Sequence, residues 1–208
     1  MGDAAALVRD TESETPAARD ERVVLGGVSW EQYVALSDIL GERAGVRVTY
    51  LEGALEIMTL SLPHERCKSM IARLLEMWAV VTRTPLNGYG SATFRKQAKD
   101  RGAEPDECYV LGRELDEDRM DAPPDLVIEV MWTRGGLDKF AVYSGLGVPE
   151  LWLWRKGTIE VWCLRGARYE RVARSELLPA LDLELLATFL DRRDQTDAVI
   201  EYAELVRG

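Results

Sequence analysis

Pro124-Asp125-Leu126-Val127-Ile128-Glu129-Val130-Met131 reads as a turn followed by a strand: a Pro-Asp step opens a run of aliphatic and β-branched residues. Glu129 lies inside that run. A carboxylate among Val and Ile is costly to bury unless something cationic meets it. Just upstream, Glu104-Pro105-Asp106-Glu107-Cys108-Tyr109-Val110-Leu111 repeats the pattern. Asp125 and Glu129 share one strand face but lie about 13 Å apart along it, too far to hold one ion together. Asp106 is the better partner. If the two strands are neighbours, about 4.8 Å apart, Asp106 and Glu129 can bridge one Mg²⁺. That ion is commonly held by one or two carboxylates, waters and phosphate oxygens.

A second reading stays open on spacing alone. Glu129 can be a buried carboxylate matched by an Arg or Lys, with Asp106 and Asp125 as strand-start turn residues. Lys139 follows Glu129 by ten residues at the start of an expected short helix. A strand–turn–helix can fold its ammonium back to orient a water or neutralise developing charge; otherwise it is a solvated lysine. Glu65 suits a helix N-terminus on dipole grounds. The lone His64 reads as a cap or surface residue, and Glu52 as turn chemistry. Arg95, Lys96, Lys99 and Arg101 form a basic stretch that can meet a phosphate backbone or serve as a solvated connector.

Further out, residues 1–22 read as a mobile, mixed-charge tail and 23–208 as a single domain. Ser29-Trp30-Glu31-Gln32 matches a capping box and opens a helix over 29–40, ended by Gly41. Residues 46–51 and 54–60 flank Glu52-Gly53 as a hairpin, and Pro63 ends it. Cys67, Met70, Ile71, Leu74, Leu75, Trp78 and Val81 recur at helical spacing, predicting a helix over 64–81. A strand is expected over 86–96, an acidic loop over 114–121, a turn over 133–136 and a helix over 137–144 stopped by Gly145 and Gly147. A hairpin about Lys156-Gly157, a strand over 168–173 and helices over 183–191 and 196–206 complete the chain. Trp152 and Trp154 share a strand face, with Trp162 expected near them as core or dimer contact.

The 208 residues are 47% hydrophobic, enough for a full core, and the net charge of −10 argues against unspecific adhesion to nucleic acid or anionic membrane. No window approaches the roughly 18 apolar residues of a membrane span, and the N-terminus lacks a signal-peptide core. Cys67, Cys108 and Cys163 are scattered in apolar segments and read as buried thiols of a reducing compartment, so a cytoplasmic location is expected. One histidine leaves neither a zinc set nor a Ser-His-Asp triad, and no phosphate loop is present.

GAEPDECYVL followed by PPDLVIEVMWTRGGLDKFAVYSGLGVPELWLW resembles the Uma-type family of bacterial restriction-endonuclease-like proteins, in the PD-(D/E)XK nuclease superfamily. The likeness runs back through Tyr50-Leu51-Glu52-Gly53 and Pro63-His64-Glu65, covering roughly 30–190. It implies an α/β restriction-endonuclease-like core: a central mixed β-sheet flanked by helices, with an N-terminal helix and hairpin. It implies a Mg²⁺-dependent endonuclease acting on DNA as a homodimer, with Mn²⁺ as a substitute. By the resemblance, Asp106 binds the metal and Glu129 is the acid of the E-x-K strand. Met131 stands where the superfamily has its lysine, which points to Lys139 on the next helix. Glu65 resembles an accessory acid, and Asp125 a residue of the site rim. The alternative is a catalytically inactive nuclease fold serving as a binding or assembly module.

Overall fold

The computed structural model describes residues 19–40, 43, 45–116, 122–132 and 135–208. Its elements are β1 (Glu21–Gly26), α1 (Trp30–Leu40), β2 (Val46–Leu51), β3 (Ala54–Thr59), α2 (Leu62–Thr82), β4 (Leu86–Gly88), β5 (Phe94–Lys96), β6 (Arg101–Ala103), β7 (Glu107–Leu111), β8 (Leu126–Val130), α3 (Lys139–Leu146), β9 (Glu150–Arg155), β10 (Thr158–Arg165), β11 (Arg168–Val172), α4 (Leu183–Ala187) and α5 (Gln195–Arg207). Most of the expected tail (1–18), Gly41, and parts of the expected acidic loop (117–121) and turn (133–134) lie outside the described residues.

Two sheets result. The larger has strand order β11-β10-β9-β8-β7-β4; β8 and β9 run parallel and the other neighbours antiparallel, which makes it the expected mixed sheet. The second, β1-β3-β2-β6-β5, is antiparallel. The 46–60 hairpin is therefore the middle of a sheet of its own. Helices α2, α4 and α5 cover one face of the mixed sheet through Tyr109, Ile128, Trp152 and Trp154. Helix α3 packs on the opposite face, against Cys108, Val127, Leu151 and Leu153. It also touches β2, β5 and β6, so it lies between the two sheets.

Local chemistry accounts for the boundaries. Glu52 and Gly53 take φ of 47° and 84°, and Lys156 and Gly157 take 47° and 83°, the paired positive angles of a tight hairpin turn. In the α1 capping box, the Gln32 amide donates to Ser29 Oγ at 3.3 Å and Ser29 N to Gln32 Oε1 at 2.8 Å. Helix α2 starts two residues earlier than its apolar spacing suggested. Ser61 caps it, and Pro63 sits in the first turn, where a missing N–H costs nothing. Burying its face adds roughly 1.5–3 kcal/mol for each large aliphatic side chain.

Four expectations change. Residues 20–22 belong to the fold rather than to a tail: Asp20 is buried, and Glu21 and Arg22 open β1 against β3. The strand expected over 86–96 is two short strands, β4 and β5, in different sheets. Gly145 lies inside α3, where an added Cβ would come within 2.6 Å of Arg101 Cγ; Gly147, at φ 91°, is the stop. Trp162 faces away from Trp152 and Trp154, because it sits one residue past the Val161↔Trp152 pair. Among the described residues no helix is long and apolar enough to cross a membrane.

Candidate metal and phosphodiester site

Strand parity brings the two acids together. Glu107 pairs with Ile128, so one step back along the antiparallel register Asp106 stands opposite Glu129. Asp106 shares parity with Cys108, and Glu129 with Val127; both of those residues pack in the α3-side core. Asp106 Oδ2 accepts the Val130 amide at 2.8 Å, which ties it across the strand pair.

Each acid has its own cation. Glu129 Oε1 accepts from Lys139 Nζ at 3.1 Å and from the Tyr143 hydroxyl. Lys139 and Tyr143 are four apart on α3 and therefore share a helix face. Asp138 caps that helix through the Phe140 and Ala141 amides, which fixes where Lys139 begins. Lys139 Nζ also reaches Thr49 Oγ1 at 3.3 Å, on the inner face of β2. Asp106 Oδ2 meets His64 Nε2 at 2.9 Å, and His64 Nδ1 meets Asp20 Oδ2 at 2.9 Å. Asp20 Oδ1 in turn accepts the Ser61 amide at the start of α2. Behind them, Glu56 of β3 accepts the Leu137 amide at 3.0 Å and faces Arg22 Nε at 3.4 Å.

Electrostatics follow from this geometry. Burial alone would push the His64 imidazole down; hydrogen bonds and charge from Asp106 and Asp20 overcome it and raise it to about 9. Burial would push Asp106 up, but His64, the Val130 amide and Lys139 hold it below the usual carboxylate range. Burial pushes Glu129 up, against Lys139. The charges of Glu129, Glu56 and Asp106 keep Lys139 protonated in spite of burial. Four carboxylates (Asp20, Glu56, Asp106, Glu129) thus stand among four cationic groups (Arg22, Arg47, His64, Lys139).

A family model for Uma2, described as "Putative restriction endonuclease", matches residues 30–199. The chain belongs to the Uma2 family. A solved structure from Anabaena variabilis ATCC 29413, described as "a putative nuclease belonging to DUF820", is similar to it at 14% identity and a TM-score of 0.42, over 75% of this chain and 90% of that one. No curated protein sequence matches.

In this Uma2 chain the donor set fits a hard divalent ion. Asp106 Oδ1 is buried with no hydrogen-bond partner among the described residues. Arg47 Nε lies 4.0 Å from it. Both hydrogen bonds to Glu129 end on Oε1, which leaves Oε2 for another partner. Two carboxylate oxygens suffice for Mg²⁺ when waters and phosphate complete the shell. Among the described residues no group of three or more His, Cys, Asp and Glu side chains is arranged to hold a metal, so any such ion depends on those outside ligands.

The other sequence expectations divide. Glu65 pairs with Lys68 at 3.3 Å with its side chain one-third exposed, and no hydrogen bond or ion pair joins it to Asp106 or Glu129. Asp125 accepts the Leu111 amide and Arg113 at the far end of β8, which makes it a strand anchor. Glu52 holds Arg101 at 2.8 Å from its turn. His64 is neither a cap nor a surface residue: it is 0% exposed and joins two carboxylates. Sequence reading missed Asp20, Glu56 and Tyr143. Glu56 carried a signal, since Leu55-Glu56-Ile57 repeats the acid-in-apolar-strand pattern of Glu129. Tyr143 carried one as well, four residues past Lys139.

Proposed function

We propose that this Uma2 chain is a Mg²⁺-dependent endonuclease that hydrolyses DNA phosphodiesters, with Asp106 and Glu129 as the metal carboxylates. The observation that carries the reading is the buried Asp106 Oδ1, without a hydrogen-bond partner, beside Glu129 on one sheet face. The bound ion would supply Lewis-acid polarisation of the phosphate and a water of lowered pKa. Lys139, held by Glu129 and Thr49, is the cation nearest the acids from the α3 side and serves to orient the attacking water. His64 and Asp20 are positioning residues that fix Asp106 Oδ2 and so aim Oδ1. Tyr143 does the same for Glu129. The functional unit in this reading is a homodimer.

The test is cleavage of supercoiled DNA by the purified chain with Mg²⁺ or Mn²⁺. Nicking is expected, abolished by chelation and by Asp106→Ala or Glu129→Ala while far-ultraviolet circular dichroism is unchanged. Equal cleavage by both variants removes the mechanism. The binding-module alternative is favoured by one specific observation: Asp106 and Glu129 are 1% and 2% exposed. Calorimetry with millimolar Mn²⁺ separates the two readings, since absence of binding favours the module.

A further inference from the structure

A cavity of about 720 Å³ opens on the outer side of α3, and none of the buried acids lines it. Its size falls within the roughly 300–1,000 Å³ of small-molecule sites. One wall is aromatic. Phe140 of α3 stands edge-on to Trp162 of β10, with ring centroids 4.7 Å apart, and tilts against Tyr169 of β11 at 5.8 Å.

The rim is cationic, with Lys99, Arg101 and Arg168. Arg101 is committed: it pairs with Glu52 and donates to the Ala141 carbonyl, lying against α3 where Gly145 has no side chain. Lys99 and Arg168 are exposed and have no ion-pair partner among the described residues. The one acid of the lining, Asp138, already accepts the Phe140 and Ala141 amides. In a chain of net charge −10, an aromatic hollow with two uncommitted cations selects an anion that carries a flat ring.

We infer that this cavity is a nucleotide subsite. It takes one unpaired nucleotide of a polynucleotide, the base against Phe140, Trp162 and Tyr169 and the phosphate on Lys99 and Arg168. Aromatic platforms of this kind tolerate any base, because every base has a π-face. Helix α3 connects the two places: Lys139 turns inward to Glu129 while its neighbour Phe140 lines the cavity. The choice of a polynucleotide rests on the nuclease reading, and it adds that the substrate carries a single-stranded stretch.

The test is fluorescence anisotropy of labelled dT8 with the wild-type chain in EDTA, over a range of salt, with dTMP as competitor. Lys99→Ala/Arg168→Ala should weaken dT8 at least tenfold and flatten the log–log salt slope by roughly 0.7, the value for the one single-strand phosphate that is no longer neutralised. Lys99→Arg/Arg168→Lys should stay within threefold of wild type, and dTMP should compete more weakly than dT8. Three results overturn the subsite. They are no dT8 binding by the wild type, an unchanged affinity and slope in the double-alanine variant at equal melting temperature, or competition by an oligoglutamate peptide as strong as by dT8. The two readings fail separately. Absence of metal-dependent cleavage with the charge-dependent dT8 binding intact removes the catalytic reading and leaves the subsite standing.

Discussion

His64 is the only histidine in the chain, so its titration can be followed without assignment. It is fully buried between Asp20 and Asp106 and raised from 6.5 to about 9. Burial removes the solvent screening that weakens surface pairs. A rise of that size corresponds to about 3 kcal/mol of folding stability. The sign follows from the direction. With the folded value above the unfolded one, the contribution is complete below about pH 6.5 and disappears as pH climbs through about 9. Roughly 1.5–2 kcal/mol of it is lost between pH 7 and 8.5. At an m of about 2–3 kcal/mol per M, that lowers the urea midpoint by about 0.5–1 M. Glu107, which burial raises to about 7, and the three buried thiols, raised to about 12, also destabilise the fold as pH rises. His64→Gln reports that background, and the wild type should lose more than the variant. Imidazole NMR of the wild type in EDTA gives an independent reading that does not require the variant to fold. A native midpoint at or below 6.5 refutes the Asp20–His64–Asp106 chain as described.

Tyr143→Phe removes a donor from Glu129 Oε1 and should lower metal-dependent cleavage by about 10–100-fold, the usual effect of losing an outer-shell partner; unchanged cleavage would exclude Tyr143 from the site. Glu150→Gln should cost roughly 2–3 kcal/mol in urea unfolding. Glu150 is buried and accepts from Trp152 Nε1, Ser175 Oγ and the amides of Glu176 and Leu177, so an amide NH₂ would face other donors. A loss under about 0.5 kcal/mol would contradict that geometry. Sedimentation equilibrium should give twice the 23.4 kDa of one chain; a single-chain mass at micromolar concentration would remove the homodimer.

The parts of the site that were legible in the sequence are those where periodicity and cost coincide. Glu129 announces itself because a carboxylate in a Val–Ile strand demands a partner, and the helix that follows supplies Lys139. The spacing of α2 fixed a buried face. It could not show that His64, at the start of that face, would be shared by two acids, because Asp20 lies 44 residues away and no local pattern records such a pairing. Glu65 illustrates the converse. Adjacent helix residues point about 100° apart, so burying His64 turns Glu65 toward Lys68 and solvent. The second sheet was equally hidden, since β1, β5 and β6 are short or polar and gain their pairing only from the hairpin they flank.

The open oxygen of Asp106 decides how the site is best understood. A buried ion cluster is a poor device for stability, because well-packed apolar residues of similar volume do as well or better. A cluster kept only for structure would at least satisfy its oxygens. This one leaves Asp106 Oδ1 and Arg47 Nε buried without hydrogen bonds, joined only by a 4.0 Å ion pair. Each such group costs about 1–3 kcal/mol. The other Asp106 oxygen is held by both His64 and the Val130 amide, so the open one is fixed in place rather than free to turn toward a donor. In the reading proposed above, that fixed oxygen is the one a divalent ion would take, with waters and the phosphate of the substrate completing its shell.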